Sequence, residues 1–227
     1  MLQISVDSPN RGGFDMKEAS IQGILLKKIT VGPFENNVYF LVDEARKESI
    51  IIDAAAEAEE ILNIVKGTRV KIILQTHGHM DHVMALAEVR KATNAPVAIH
   101  LADEKAFGIR ADVHLEDRQT LDVGPLQIQT LHTPGHTPGG LCFLMEGHLL
   151  TGDTLFPGGP GKTARPEDFE QLLSSITQKI YPLPDSTVCH PGHGPETTVG
   201  ASKMEYQVFA SRKRTKPVYG DVLWLEM

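Results

Sequence analysis

Between positions 77 and 82 the chain reads His77-Gly78-His79-Met80-Asp81-His82, four candidate metal ligands in six residues. Core packing has no use for such a density of imidazole and carboxylate, whereas metal binding does. The preceding run, VKIILQT (70–76), reads as a strand. His77 and His79, two apart in extended chain, then point to the same side, and Asp81 and His82 open the next helix toward the same mouth. Gly78 lets the backbone turn closely between them. Three further candidates lie in Gly/Pro-rich loops after other apparent strands: His136 in HTPGHTPGG, Asp153 in LLTGDTLF and His193 in CHPGHGPETT. Loops at strand ends are where α/β scaffolds carry their sites. Five His and two Asp exceed what one tetrahedral ion takes. They suit two ions sharing a carboxylate, with His77, His79 and His136 on one, Asp81, His82 and His193 on the other, and Asp153 between. Two cations about 3.5–4 Å apart would activate one water for attack on a carbonyl or phosphoryl centre.

Positioning those residues requires strands that end at one edge. ILLKKITV (24–31), NVYFLVD (37–43) and SIIIDA (49–54) are short runs rich in β-branched and aromatic residues and read as strands. AEAEEILNIVK (56–66) reads as a helix stopped by Gly67, with acidic residues early and Lys66 late, as the helix dipole favours. After the strand at 70–76 the pattern predicts a helix over 81–94 and a strand over 97–100. A second series of strands covers 126–133, 139–146 and 148–151, followed by a helix over 166–180 that Pro166 starts, and a strand over 186–192. A further helix is expected from Ser202, and VYGDVLWLEM (218–227) carries Val, Leu and Trp suited to docking or a partner contact. Residues 1–20 are polar, contain Pro9-Asn10 and Gly12-Gly13, and read as an N-terminal extension to a single domain over 21–227.

The composition narrows the class. With 227 residues and 41% hydrophobic content the chain can bury a real core, and 22% charged residues exclude a wholly disordered one. Its net charge of −7 argues against a broad nucleic-acid or anionic-membrane surface. No run reaches the roughly 18 apolar residues of a membrane helix, and the first 20 residues lack a secretory pattern. The two Cys, Cys142 and Cys189, read as small buried hydrophobes in a reducing, cytoplasmic setting. GPGKT (159–163) imitates the end of a phosphate-binding loop, but Phe156 stands where the first Gly belongs, so that pattern fails.

HGHMDH at 77–82, with His136 in HTPGHTPG, Asp153 in TGDTLF and His193 in PGHGPETT, resembles the metallo-β-lactamase superfamily over roughly residues 23–200. The resemblance implies an α/β (α+β) four-layer αββα sandwich with a dinuclear site along one edge of its two sheets, and it supports the ligand division above. VGPFENNVYFLV, GDTLF followed by GPGK, and PGHGPETT look most like the glyoxalase II group, the hydroxyacylglutathione hydrolases. A metal-dependent hydrolase acting on a small-molecule thioester, or a related ester or lactone, is what that resemblance implies. It also implies two divalent ions per chain, zinc first with iron or manganese as alternatives, and Asp81 helping to orient the attacking hydroxide. Asp53 in IIDA matches an early Asp that supports the metal loop from behind. Lys162 aligns with a lysine that contacts glutathione, although Thr163-Ala164-Arg165 replaces the aromatic expected after it; His190 is a second substrate-contact candidate. Persulfide dioxygenases share HxHxDH but bind one iron through two His and an Asp, here His79, His136 and Asp153; PGHGPETT speaks against them. A non-enzymatic metal-bound module would be expected to have lost ligands, and all seven are present. Association into a homo-oligomer stays open on sequence alone.

Overall fold

The computed structural model describes residues 17–213 and 215–226. β1 (Lys17–Ile21), β2 (Ile24–Val31), β3 (Asn36–Asp43) and β4 (Glu48–Ile52) form an antiparallel meander. α1 (Ala58–Ile64), β5 (Arg69–Leu74), α2 (Met80–Val83), α3 (Leu86–Thr93), β6 (Val97–Ile99), α4 (Leu101–Phe107) and β7 (Val113–His114) follow. β4 to β7 are parallel neighbours, completing a seven-stranded sheet in the order β1-β2-β3-β4-β5-β6-β7. Parallel pairing needs crossovers, which is why helices lie between these strands and outside the sheet.

The second sheet is built from β8 (Thr120–Val123), β9 (Leu126–His132), β10 (Leu141–Met145) and β11 (His148–Gly152). The chain then makes the short pair β12 (Leu155–Phe156) and β13 (Gly159–Pro160), and α5 (Pro166–Ser175), which runs on into a π-helical turn (Ile176–Ile180). β14 (Val188–Pro191), β15 (Thr197–Thr198) and α6 (Val199–Ser211) complete it, in the sheet order β15-β14-β11-β10-β9-β8 with only β11 and β14 parallel.

Period-two alternation explains the layering. On β3 every residue is buried, because Tyr39 and Leu41 face the second sheet while Val38, Phe40 and Val42 pack with Ile61 of α1 and Val89 of α3. On β10, Leu141 and Phe143 join that inter-sheet core, and Cys142 faces outward to Leu172, Ile176 and Ile180. The result is the four-layer αββα sandwich that the family resemblance implies. Cys142 and Cys189 are unpaired and buried, and burial pushes their thiols up to about 11 and about 12. Among the described residues no helix is long and apolar enough to cross a membrane.

Several elements depart from the expected boundaries. Residues 17–20, read as the end of an extension, pair with β2 as an edge strand; four of the five β1 residues are exposed, so no alternation marked it. The remainder of that extension, 1–16, lies outside the described residues. The single helix expected over 81–94 is broken after Met84, where the Ala85 N–H turns to the Ala54 and Ala55 carbonyls at 3.1 and 3.0 Å. α4 was not anticipated; seven residues between His100 and Gly108 carry too little periodicity to be read. At the C-terminal end Trp224 is fully buried with Phe169, Phe209 and Val222, docking the final segment on α5 and α6. Trp224→Ala is expected to cost about 3–5 kcal/mol, read as a lower urea midpoint with an unchanged slope.

Candidate metal centre

The candidate ligands follow the carboxyl ends of four strands that run in one direction at each sheet, where open α/β scaffolds place ligands. His77 and His79 follow β5, His136 follows β9, Asp153 follows β11 and His193 follows β14. Asp81 and His82 sit on α2.

Two ligand triads close on each other. Donor atoms of His77, His79 and His136 lie within 4.8 Å of one another, as do those of Asp81, His82 and His193. His136 Nε2 is 2.9 Å from His79 Nδ1, and His82 Nε2 is 3.2 Å from His193 Nε2. Nitrogens shared by a tetrahedral ion at ordinary bond lengths would stand about 3.3 Å apart. Asp153 lies between the triads, with Oδ1 3.4 Å from His82 Nε2 and Oδ2 3.6 Å from both His136 Nε2 and His193 Nε2. Asp81 Oδ2 is 3.3 Å from His193 Nε2.

The imidazole orientations are set from behind. His136 Nδ1 donates to the Lys162 carbonyl at 2.7 Å and His193 Nδ1 to the Phe34 carbonyl at 2.8 Å, since a carbonyl only accepts. His82 Nδ1 meets Asp53 Oδ2 at 3.0 Å. The Thr76 hydroxyl donates to Asp53 Oδ2 at 2.7 Å, so it accepts from His77 Nδ1 at 3.0 Å. Each arrangement leaves Nε2 facing the centre. His77 Nε2 is buried with no hydrogen-bond partner, which protein interiors avoid unless another ligand takes the lone pair. This donor set, five imidazoles and two carboxylates, therefore fits divalent cations.

Asp53 also lies within reach of His77 and His82. Both its oxygens are taken, Oδ1 by the Thr76 N–H at 2.7 Å and Oδ2 by the Thr76 hydroxyl and His82. It adopts φ 61°, a left-handed conformation that Asp tolerates better than most residues. Lys162 reaches the centre through its carbonyl, while its exposed ammonium faces Asp221 at 3.5 Å. His190 is a correction. It is 4% exposed and held between His148 Nδ1 at 2.9 Å and Glu196 Oε1 at 3.2 Å, so it has no open face for a substrate.

Two neighbouring asparagines that no metal-ligand motif marks also serve the centre. Asn36 Nδ2 donates to Asp81 Oδ2 at 3.0 Å. Asn37 Nδ2 donates to the Pro191 and Gly194 carbonyls, both at 2.9 Å, gripping the turn that presents His193. Their signal was the pair itself, two polar residues opening a strand whose remaining positions are apolar up to Asp43.

The sequence profile of the metallo-beta-lactamase superfamily matches residues 31–217. The chain is 36% identical over 195 residues to the probable metallo-hydrolase YqgX of Bacillus subtilis (strain 168), an alignment covering 76% of this chain and 92% of that one. It is 34% identical over 200 residues to the hydroxyacylglutathione hydrolase GloC of Haemophilus influenzae, covering 77% and 93%. Among solved structures, the BLEG-1 B3 metallo-beta-lactamase is similar with a TM-score of 0.74 at 32% identity, covering 82% of this chain and all of that one.

Electrostatics divide the imidazoles. Burial, then the neighbouring His82, holds His77 far below the usual imidazole value, and burial with His136 brings His79 to about 4. Both are neutral at pH 7. For His82 burial acts in the same direction, but Asp153 and then Asp53 outweigh it and raise it to about 10. Burial likewise opposes ionisation of Asp153, yet His82 and the other imidazoles hold it well below the usual carboxylate range. In the metal-free protein His82 and Asp153 thus form a buried ion pair, and a cation must displace the His82 proton. Metal binding is expected to release about one proton between pH 6 and 9, with affinity falling about tenfold per pH unit of acidification. Calorimetry in buffers of different ionisation enthalpy checks both.

Proposed function

Because the chain belongs to the metallo-β-lactamase superfamily, we propose that it is a dinuclear metallohydrolase that cleaves the thioester of a small hydroxyacyl-thiol substrate, in the manner of the glyoxalase II group. The observation that carries this reading is the convergence of two ligand triads on Asp153. Similarity to GloC over 93% of that protein's length supports the substrate class. Zinc is the metal we assign first, and the nitrogen and oxygen donors also accept iron or manganese.

His77, His79 and His136 would hold one ion, Asp81, His82 and His193 the other, and Asp153 would bridge. Two ions held there would supply a hydroxide at neutral pH and a Lewis acid for the carbonyl oxygen. The protein's own residues do the rest. Asp81, fixed by Asn36, offers the carboxylate that aligns the attacking oxygen. Asp53 and the two loop carbonyls keep the imidazoles from turning. Lys162 stands exposed at 68% on its side chain and, by exchanging Asp221 for a substrate carboxylate, would receive an anionic thiol carrier.

Metal analysis beside an assay panel tests the reading. Two metal ions per chain are expected, with hydrolysis of S-D-lactoylglutathione that a chelator abolishes and that Asp81→Asn lowers about 10²- to 10⁴-fold in kcat. One iron per chain with oxygen uptake on glutathione persulfide would overturn it, as would hydrolysis of β-lactams with none of thioesters. Lys162→Ala should lower kcat/KM for S-D-lactoylglutathione about two- to fivefold through KM, and leave an uncharged thioester unaffected.

A further inference from the structure

Behind the candidate metal centre, α4 carries one buried carboxylate that touches both loops supplying the first triad. Asp103 has no solvent exposure. Its Oδ2 accepts the backbone N–H of Gly78, between His77 and His79, at 2.9 Å. Its Oδ1 accepts the backbone N–H of Gly139, three residues beyond His136, at 2.5 Å. A carboxylate removed from water is retained only where hydrogen bonds offset its desolvation, and here both oxygens are engaged by segments that present ligands.

Sterics point the same way. A Cβ at Gly139 would lie 2.6 Å from the Asp103 backbone nitrogen and 2.7 Å from its Oδ1, and one at Gly78 would lie 2.5 Å from the Phe107 ring. Phe107 in turn packs edge-on against His79, ring centroids 5.1 Å apart. Both loops therefore approach α4 as bare backbone. The second triad is held by other means: Asp53 on His82, Asn36 on Asp81 and the Phe34 carbonyl on His193.

We propose that Asp103 is a positioning residue which, by accepting one backbone N–H from each of two loops, sets the placement of His77 and His79 relative to His136 and so builds the first metal triad. It touches neither metal nor substrate. The proposal rests on the metal-binding part of the functional reading and not on the identity of the substrate.

The test is titration of the metal-free, full-length protein with cobalt(II), followed by visible absorption and by metal analysis, with thermal unfolding of the metal-free protein alongside. Wild type is expected to take two ions. Asp103→Asn turns an amide N–H toward one of the two backbone N–H groups, and it should weaken one cobalt site about 10- to 100-fold while the other keeps its affinity. The spectrum of that one ion should fade at low cobalt and return at high cobalt. If Asp103 only stabilises the fold, the thermal midpoint drops and both cobalt affinities stay at wild-type values, and the proposal is overturned. Should Asp103→Asn not fold, Gly139→Ala presses a methyl group into the same contact from the loop side and carries the same two outcomes. A wild type that takes one ion would overturn the dinuclear reading instead, and Asp103 is then judged on the affinity of that ion.

Discussion

Four imidazoles of the centre turn Nε2 inward because an acceptor behind each ring takes the N–H on Nδ1. The Thr76 hydroxyl does this for His77, Asp53 for His82, the Lys162 carbonyl for His136 and the Phe34 carbonyl for His193. Lone pairs facing one another at these separations repel unless a cation or a proton sits among them. Without the rear acceptors a ring would turn, or place its N–H at the centre, and the donor set would be lost. The acceptors come from the end of β4, the loop before β3, the loop after β13 and the residue preceding His77. They coincide only if both sheets end at a common edge. The inter-sheet core of Tyr39, Leu41, Ile52, Leu74, Leu141, Phe143 and Leu150 fixes that edge.

Close approach of backbone is the second requirement, and it accounts for part of the glycine content of the loops. Asp153 lies between two triads, so the chain around it must come near without side chains. A Cβ at Gly192 would stand 2.3 Å from Asp153 Oδ1 and 2.7 Å from His82 Cε1, and one at Gly161 would stand 1.8 Å from the Asp153 carbonyl oxygen. Those two positions lie one residue before His193 and one before Lys162. The segments that present a ligand and an acceptor are thus the ones that must pass the central carboxylate.

The candidate metal centre is legible in the sequence wherever its residues are local. HGHMDH places four donors in six residues, and the strand at 70–76 sets their direction without reference to the rest of the fold. His136, Asp153 and His193 could be picked out because Gly and Pro mark their loops at strand ends. What escaped was nonlocal. Asp103 sits in LADEKAF, where an acidic residue in the first turn of a helix looks like an ordinary dipole contact. Asn36 and Asn37 become informative only once β3 is seen to bridge to His193. His190 was misread for the converse reason: adjacency to a site loop in sequence put it near the centre, while strand alternation turned it into the interior beside Tyr39. The break after Met84 likewise depends on carbonyls thirty residues upstream.

The final segment shows how burial far from the chemistry reaches it. Trp224 anchors among Phe169, Tyr206 and Phe209, and its backbone N–H bonds the Gly158 carbonyl at 2.7 Å. Val222 passes so close to Gly159 that a Cβ there would meet its carbonyl oxygen at 2.2 Å, and Gly220 bridges to Thr163. These contacts back both ends of the loop over 158–163. That loop carries Lys162, whose carbonyl holds the His136 ring. An apolar cluster in which Val222 and Trp224 pack on Phe169 and Phe209 therefore stiffens the acceptor behind one candidate ligand, and those two residues act on the centre through packing and not through any charge of their own.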